Sequence, residues 1–185
     1  MEVYSPSDDS FLLVECIKKE QLTGKDCLDM GCGSGVESEA MILSGAKSVL
    51  AVDINPNAIN ETKKRIKTLI PGHISKVFKT KKSNLFSNIK EKFDFVAFNP
   101  PYVPSEEIKW KDLDGGKNGR EIIDVFIPQA KKHLKKKGVL LLLITSLNKP
   151  TSVKKLLKKN GFSVNIVGRK KLFFEELLVL KCTKI

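Results

Sequence analysis

The run Asn99-Pro100-Pro101-Tyr102 directly follows a short apolar segment, residues 93–98, and its residue types suit chemistry on a planar nitrogen. If the side-chain oxygen of Asn99 and the main-chain oxygen of Pro100 each accept a hydrogen bond from one NH2 group, the nitrogen is held in a fixed orientation. Tyr102 can stack on the flat group that carries it. The run can also simply end a strand, because proline lacks a ladder donor. We expect Asn99, Pro100, Pro101 and Tyr102 to form a reaction centre.

A carboxamide nitrogen is a poor nucleophile because its lone pair is delocalised into the carbonyl group. Such a nitrogen reacts when it is positioned for in-line displacement beside fixed dipoles, and no Ser, Cys or His nucleophile is required. The exocyclic amines of adenine and guanine are also planar, and the same residues serve them equally well. The motif therefore predicts transfer of a small group to a planar amide or amine nitrogen.

A glycine-rich turn lies earlier in the chain, directly after a buried apolar strand, and contains Asp29, Gly31, Gly33 and Gly35. Glycines let the backbone bend tightly and let a ligand approach it closely. Dinucleotide-binding proteins normally show G-x-G-x-x-G, whereas this spacing is D-x-G-x-G-x-G. The carboxylate of Asp29 suits the ammonium group of a methionine moiety better than a pyrophosphate. The turn alone is weak evidence for a ligand site, because a plain tight turn would also look like this.

An acidic residue, Asp53, ends the second predicted strand. At that place an acid accepts hydrogen bonds from ribose hydroxyls, in NAD as well as in S-adenosylmethionine. The run Asp53-Ile54-Asn55-Pro56 can also be interpreted as a helix cap. Turn and acid together predict adenosine binding, but they do not by themselves predict methyl transfer.

Short runs rich in Val, Leu and Ile alternate with helical segments, which predicts a doubly wound α/β fold with a mostly parallel sheet. We expect a single domain over residues 1–185. Helices are predicted over residues 8–20, around Ala40 and Ile42, and over 56–69, 122–134 and 152–160. Strands are predicted over residues 27–30, 49–52, 74–78, 93–98, 139–144, 163–167 and 177–181, the last two as an antiparallel hairpin.

The formal net charge of +12 is compatible with nucleic-acid binding. Only three of the 33 basic residues are Arg, the residue that makes forked phosphate and base contacts, so most of the charge is expected on solvated helix surfaces. The four cysteines are scattered and predict reduced thiols and no metal site. The longest strongly apolar run, Val139 to Ile144, is too short to cross a bilayer. We expect a cytoplasmic protein.

Taken together, the motifs resemble the HemK-like protein glutamine methyltransferases, which modify the glutamine of the Gly-Gly-Gln loop in peptide-chain release factors. The similarity is greatest to their short archaeal and eukaryotic branch. The resemblance implies a Rossmann-like class I methyltransferase fold, with a seven-stranded mostly parallel sheet, an antiparallel last strand and helices on both faces. The matching segments are Val3 to Pro6, Asp8 to Ser10, Asp29 to Gly35, Asp53 to Pro56, Phe98 to Val103, Gly115 to Glu121 and Val179 to Lys184.

The resemblance also implies residue roles. The residues that it implies for S-adenosylmethionine binding are Ser10, Asp29, Gly31, Gly33, Asp53, Asn84, Leu85 and Asn99, the last at the reaction centre. Asn84-Leu85 departs from the usual Asp-Leu of the family. The Asn oxygen can accept the same hydrogen bond from the adenine amino group without the charge, so the cofactor is expected to bind less tightly. An adenine-N6 or guanine-N2 methyltransferase is the alternative, which the absence of an added target-recognition domain disfavours.

Two segments are expected to meet other proteins. The long polar loop from Val103 to Arg120 suggests a substrate lid, in which Trp110 is either an anchor or a hydrophobic plug. The third strand, placed at 74–78, should lie at the sheet edge. Short relatives commonly act with a small zinc-binding activator protein that extends the sheet there, which predicts such a partner. An edge protected by Lys76 and Lys79 is the alternative.

Overall fold

Seven strands form one sheet in a computed structural model that describes residues 3–70, 74–104, 115–116 and 118–185. The strands are β1 (Asp26–Met30), β2 (Ser48–Asp53), β3 (Phe78–Lys82), β4 (Phe93–Phe98), β5 (Leu134–Thr145), β6 (Phe162–Lys171) and β7 (Glu176–Lys184). Their spatial order is β3-β2-β1-β4-β5-β7-β6. Strands β1 to β5 pair in parallel, whereas β7 is antiparallel to both β5 and β6. The predicted mostly parallel sheet with an antiparallel last strand is confirmed.

Helices cover both faces of this sheet. They are α1 (Asp8–Ile17), α2 (Val36–Leu43), α3 (Pro56–Leu69), α4 (Ile74–Val77), α5 (Glu121–His133) and α6 (Pro150–Lys159), with a 3-10 turn at Ser146–Asn148. Successive residues of β5 show how the core divides, because Leu140 and Leu142 pack toward α5 and α6, whereas Leu141 and Leu143 pack toward α1, α2 and α3. This alternation follows from the two-residue period of a strand. A continuous apolar run therefore fills both layers of the core.

Local signals explain where the main elements begin and end. The Asn55 side chain accepts a hydrogen bond from the Asn57 N–H at 3.0 Å, and Pro56 occupies the first turn of α3, as expected for that cap. Helix α6 ends before Gly161, whose φ of +75° is the left-handed conformation predicted for a glycine stop. Helix α1 ends at Ile17, three residues earlier than predicted.

The prediction for the third strand is wrong in position. Residues 74–77 form the short helix α4, and the strand itself is Phe78–Lys82, which pairs with β2 from Val49 opposite Phe78 to Asp53 opposite Lys82. Only Phe78 is buried in this strand, so no apolar run marks it. Its backbone pairing with β2 and the single buried side chain of Phe78 hold it in place. The strand nevertheless lies at the sheet edge, as expected.

Other parts of the fold bear on location and redox chemistry. Within the described residues, no helix is long and apolar enough to cross a membrane. All four cysteines are buried and none forms a disulfide. In the part of the chain that the structure describes, no group of His, Cys, Asp or Glu side chains could hold a metal ion.

An ion-pair network joins the amino ends of three strands. Lys135 Nζ lies 2.7 Å from Asp26 Oδ2 and 2.7 Å from Asp94 Oδ2, and the Asp26 N–H donates to Asp94 at 2.9 Å. The hydrogen bond from Lys135 lowers the pKa of Asp26 to about 2, against the effect of burial. The network fixes the register of β1, β4 and β5 at the end of the sheet opposite to their carboxyl ends.

We predict that Lys135→Met destabilises the protein by about 1 kcal/mol at pH 7, or a melting temperature lower by roughly 2–4 °C, since the network is partly exposed. Because folding lowers the pKa of Asp26, the ion-pair stabilisation is complete above pH 3.8 and is lost as the pH falls toward 2. Melting curves between pH 2 and 7 test this. Lys136→Met, at an exposed neighbouring lysine, is the control and should change little. A difference independent of pH would contradict the ion-pair explanation.

Candidate active site

A cavity of about 630 Å³ opens at the carboxyl ends of the parallel strands, where ligands bind in α/β sheets. Its walls come from the segment before α1, the turns after β1, β2 and β3, the residues after β4, and the start of α5. The predicted site residues that line it are Ser10, Gly31, Gly33, Asp53, Asn84, Leu85, Asn99 and Pro101. Asp29, Pro100 and Tyr102 do not line it.

The glycine turn after β1 requires its glycines for two reasons. Gly31 and Gly35 have φ values of +67° and +84°, in the left-handed region that favours glycine. A side chain at Gly35 would lie 2.8 Å from the Thr62 methyl carbon of α3, and one at Gly31 would lie 3.3 Å from the Phe98 ring. The turn is therefore pressed between α3 and β4, and its bare backbone faces the cavity.

Asp53 connects the glycine turn to the end of β2. Its Oδ2 accepts a hydrogen bond from the Gly33 N–H at 3.1 Å, and its Oδ1 accepts one from the Asn55 N–H at 2.8 Å. Asn55, not Asp53, caps α3. Asp53 also lines the cavity, so its carboxylate serves the glycine turn, the start of α3 and the cavity wall together. The helix-cap interpretation of Asp53 is therefore incomplete.

The structure separates two buried acids that the sequence did not distinguish. Asp29 accepts a hydrogen bond from the Ser38 hydroxyl at 2.5 Å and lies behind the cavity wall, away from the position predicted for it. Glu37, in the first turn of α2, lines the cavity instead and is 6% exposed. Burial, and next the charge of Asp29, raise the pKa of Glu37 well above its usual range. Glu37 was missed because it belongs to no glycine-turn motif.

The charge of the cavity lining is opposite to that of the whole chain. Although the chain has a net charge of +12, none of the described lining residues is Lys, Arg or His. The ionisable carboxylates among them are Glu37, Asp53 and Glu121. Buried carboxylates repel a diphosphate and attract a cation. The lining therefore favours a cationic ligand.

The turn after β3 supplies another wall. Two hydrogen bonds of Ser83 fix the backbone of this turn. The Ser83 N–H donates to the main-chain oxygen of Asp53 at 2.9 Å, and the Ser83 hydroxyl accepts from the Asn88 N–H at 3.0 Å. Leu85 has a φ of +48°, an uncommon conformation for a non-glycine residue. The tight turn brings exposed Asn84 and half-buried Leu85 to the cavity, opposite the glycine turn.

The two ends of the Asn99 side-chain amide differ in their hydrogen bonding. Its Nδ2 donates to Asp9 Oδ2 at 3.1 Å and lies 3.5 Å from the Ser10 hydroxyl oxygen. Its Oδ1 is buried and has no hydrogen-bond partner among the described residues. Leaving a buried acceptor unpaired costs about 1–3 kcal/mol, so such groups mark places where a ligand completes the bonding. The Asn99 oxygen is therefore available to a donor in the cavity.

The residues after Asn99 are fixed by hydrogen bonds to groups outside the cavity lining. The Tyr102 hydroxyl donates to Asp9 Oδ2 at 3.1 Å, so Tyr102 lies against Asp9 and not in the cavity wall, where the stacking role predicted for it would place it. The buried Asn148 side chain donates to the main-chain oxygens of Tyr102 and Gly119, each at 2.8 Å. A side chain on Gly119 would overlap the Tyr102 oxygen. Asn148 thus fixes the backbone beyond the reaction centre.

Comparison with known proteins agrees with this geometry. Residues 7–174 match the family model described as the methyltransferase small domain. The proposed protein N5-glutamine methyltransferase of Methanocaldococcus jannaschii is 40% identical over 100% of this chain and 93% of that protein. The chain belongs to the HemK-like methyltransferases. Methyltransferase HEMK2 of Homo sapiens is 33% identical to it over 99% of this chain and 90% of that protein.

Solved structures give the same relationship for this HemK-like methyltransferase. The E. cuniculi Mtq2–Trm112 complex, responsible for the methylation of the eRF1 translation termination factor, matches with a TM-score of 0.81 and 27% identity over 100% of both chains. Ribosomal protein L11 methylase of Lactobacillus delbrueckii subsp. bulgaricus matches with a TM-score of 0.73 at 22% identity, which shows a shared fold.

The cofactor of the methyltransferase is S-adenosylmethionine, and the cavity fits it. Its sulfonium and ammonium groups are both positive and it carries no phosphate, which agrees with a lining that has carboxylates and no basic residue among the described positions. Glu37 and Asp53 would hold the cationic and ribose parts, and Asn84 the adenine edge. When bound, the cofactor supplies an electrophilic methyl group.

Sequence reasoning missed three residues of this methyltransferase and predicted others that cannot be placed. Asp9, Glu37 and Asn148 carry hydrogen bonds or charge at the site, and of these only Asp9 lies in a segment that had been singled out. Trp110 and most of the predicted lid lie outside the described residues.

We predict that Asp53→Ala weakens S-adenosylmethionine binding by about 1–3 kcal/mol, because charge-assisted hydrogen bonds to ribose and the Gly33 contact are lost together. Isothermal titration calorimetry measures the dissociation constant. Asp124→Ala, on α5 and outside the cavity lining, is the control and should leave the dissociation constant unchanged. An unaltered constant for Asp53→Ala would mean that Asp53 only shapes the turn.

We also predict that Glu37→Gln stabilises the cofactor-free protein but weakens S-adenosylmethionine binding about tenfold, roughly 1.4 kcal/mol. Folding raises the pKa of Glu37, so the folded protein loses stability relative to the unfolded chain as the pH rises above 4.5. The variant should therefore gain about 1 kcal/mol at pH 7–8, and this gain should shrink toward pH 4.5. Thermal melts without cofactor and calorimetry with it provide the two readings.

Glu39→Gln is the matched control. Glu39 lies two residues beyond Glu37 in α2, and its carboxylate pairs with Arg65 at 2.8 Å outside the cavity. It should leave cofactor affinity unchanged and lower stability slightly. If Glu37→Gln instead bound the cofactor normally, the Glu37 carboxylate would have no part in binding.

Proposed function

We propose that this methyltransferase methylates the side-chain amide of a glutamine in a peptide-chain release factor, the residue of its Gly-Gly-Gln motif. The observation that carries the proposal is the buried, unpartnered Oδ1 of Asn99 beside a cavity suited to S-adenosylmethionine. A primary amide offers the NH2 donor that this oxygen lacks. The names of the relatives, among them the release factor glutamine methyltransferase of Aquifex aeolicus, supply the substrate class.

Catalysis in this proposal is positioning. Asn99 Oδ1 accepts one N–H of the substrate amide, and this fixes the nitrogen with its lone pair toward the cofactor. The proline ring after Asn99 limits backbone movement, and Asn148 holds the Tyr102 carbonyl. The amide nitrogen would form a bond to the methyl carbon as the carbon–sulfur bond of the sulfonium breaks and leaves a neutral thioether. The nitrogen loses one proton to water, and no protein nucleophile takes part.

A nucleobase amine is the less favoured substrate. Lysines are dense at residues 131–137, 154–159 and 184, where α5 and α6 end and β5 and β6 begin, at the edge of the sheet opposite to the cavity. That cluster therefore offers no basic surface beside Asn99, although other lysines, among them Lys82 and Lys149, lie toward the cavity end. The cavity itself has no basic residue in its described lining.

Labelled S-adenosylmethionine tests the proposal directly. The purified chain should transfer label to release factor and not to tRNA, rRNA or DNA from the same source, and the label should map to the glutamine of the Gly-Gly-Gln motif. A release factor with that glutamine replaced by alanine is the control. Label in nucleic acid, or in the alanine-substituted factor, would contradict the proposal.

We predict that Asn99→Ala removes nearly all transfer to the release factor, because the acceptor that orients the amide nitrogen is lost. Cofactor affinity should stay within about tenfold, or roughly 1.4 kcal/mol. Single-turnover rates and calorimetry give the two values. Retained activity would overturn the positioning mechanism.

The proposal includes a small activator protein on the β3 edge of the sheet. The E. cuniculi Mtq2 structure is of a complex with Trm112, and β3 of this chain is an edge strand, with no further strand beside it among the described residues. Two of its five residues are exposed lysines, and only Phe78 is buried. A zinc site in the partner and a cytoplasmic place of action belong to the same proposal.

Hydrogen exchange tests the activator edge. Adding the partner should slow amide exchange over residues 78–82 and raise activity, whereas β6, at the other sheet edge, should show no change and serves as the control. A fully active lone chain with no added protection at β3 would refute this part of the proposal.

A further inference from the structure

A buried carboxylate lies behind the reaction centre and binds four hydrogen-bond donors. Asp9, which is 3% exposed, accepts hydrogen bonds at Oδ1 from the Tyr4 hydroxyl at 3.0 Å and from the Ser10 N–H at 2.7 Å. At Oδ2 it accepts from Asn99 Nδ2 and from the Tyr102 hydroxyl, each at 3.1 Å. Neither the cavity lining nor the motif roles derived above include Asp9.

The carboxylate of Asp9 allows the side-chain amide of Asn99 only one orientation. An ionised carboxylate can only accept hydrogen bonds, whereas an Asn side chain has a donor end and an acceptor end. If the Asn99 amide turned over, its oxygen would meet Asp9 Oδ2, and two acceptors would face each other about 3 Å apart. The NH2 end must therefore face Asp9, and the oxygen must face the cavity.

The surroundings of Asp9 make this arrangement directional. Asp9 lies in the first turn of α1, where the positive end of the helix dipole favours an anion. Burial, followed by the charge of Asp9, raises the pKa of both Tyr4 and Tyr102, so both phenols remain protonated donors. Both phenols donate to Asp9, and the Asn99 oxygen has no hydrogen-bond partner among the described residues.

We propose that Asp9 is a positioning residue for methyl transfer, which acts by holding the Asn99 carbonyl oxygen toward the nitrogen of the substrate. The inference rests on the proposed function for the identity of that nitrogen, but the orientation argument applies to any NH2 substrate. Asp9 itself touches neither substrate nor cofactor.

The neighbouring acid gives a matched control. Asp8 precedes Asp9 in the same helical turn, but its carboxylate forms a surface ion pair with Lys170 at 2.9 Å. Asp8→Asn should therefore keep wild-type kcat. Asp9→Asn should lower kcat about tenfold or more, because an Asn at this position can face Asn99 with either end. The KM for release factor and the dissociation constant of S-adenosylmethionine should change little.

An exchange of the two side chains separates orientation from general structural support. Asn99→Asp alone places two carboxylates together and should be nearly inactive. In the double variant Asp9→Asn with Asn99→Asp, the new Asn donates to the new Asp, whose second oxygen faces the cavity as an acceptor. The double variant should therefore recover kcat at least severalfold above Asn99→Asp.

Melting temperature and cofactor affinity are measured for all four variants, so that a folding defect is recognised separately. If Asp9→Asn does not fold, the comparison of Asn99→Asp with the double variant still decides. The inference is overturned if folded Asp9→Asn keeps kcat within about twofold of wild type, or if the double variant is no better than Asn99→Asp. Failure of the wild-type chain to label release factor would count against the proposed function instead, and the variants would then be assayed on the substrate that takes up label.

Discussion

The unpaired oxygen of Asn99 is the constraint around which the rest of the site is built. A buried acceptor without a partner is unstable unless the surrounding structure prevents its rotation toward a nearby donor. Here the carboxylate of Asp9 holds the NH2 end of Asn99, and the proline ring at Pro100 and the hydrogen bond from Asn148 to the Tyr102 carbonyl hold the backbone that carries it. The stability of the remaining core offsets this local cost. The site is therefore prepared before any substrate enters.

The sheet topology brings these groups together from distant parts of the sequence. Asn99 follows β4, Asp53 ends β2, and the glycine turn follows β1, and these strands are parallel neighbours. Their carboxyl ends therefore meet at one edge, as the alternation of strands and helices predicts. Helix α1 places Asp9 and Ser10 at the same end of the sheet. The carboxyl end of the parallel strands thus holds both the cofactor cavity and the group that orients the substrate.

Much of this could be predicted from sequence because local signals were strong. Apolar runs located β1, β2 and β4, and the Asn55-Pro56 cap located α3. β3 was misplaced because an edge strand with one buried residue leaves no apolar run, and its position depends on pairing with β2. Long-range contacts of this kind have no local signature.

The candidate site likewise combines features that local sequence signals predict with features that depend on long-range contacts. The backbone turn and Asp53 follow from glycine spacing and strand ends, which are local features. The exchange of Asp29 for Glu37 at the cavity wall depends on how α2 packs against β1, and Ser38 decides it by binding Asp29. The acceptor role of Asn99 was expected, but its dependence on Asp9 needs the contact between α1 and the end of β4.

The acidic lining of the cavity also bears on how the enzyme completes a cycle. Methyl transfer leaves the sulfur of the spent cofactor neutral, while its shape is almost unchanged. Glu37 and Asp53 then face one positive charge fewer, and a single charge interaction near a protein surface amounts to on the order of 1 kcal/mol or more. The carboxylates therefore hold the spent molecule less tightly than the fresh one. The difference in charge therefore favours replacement of the spent cofactor by a fresh molecule.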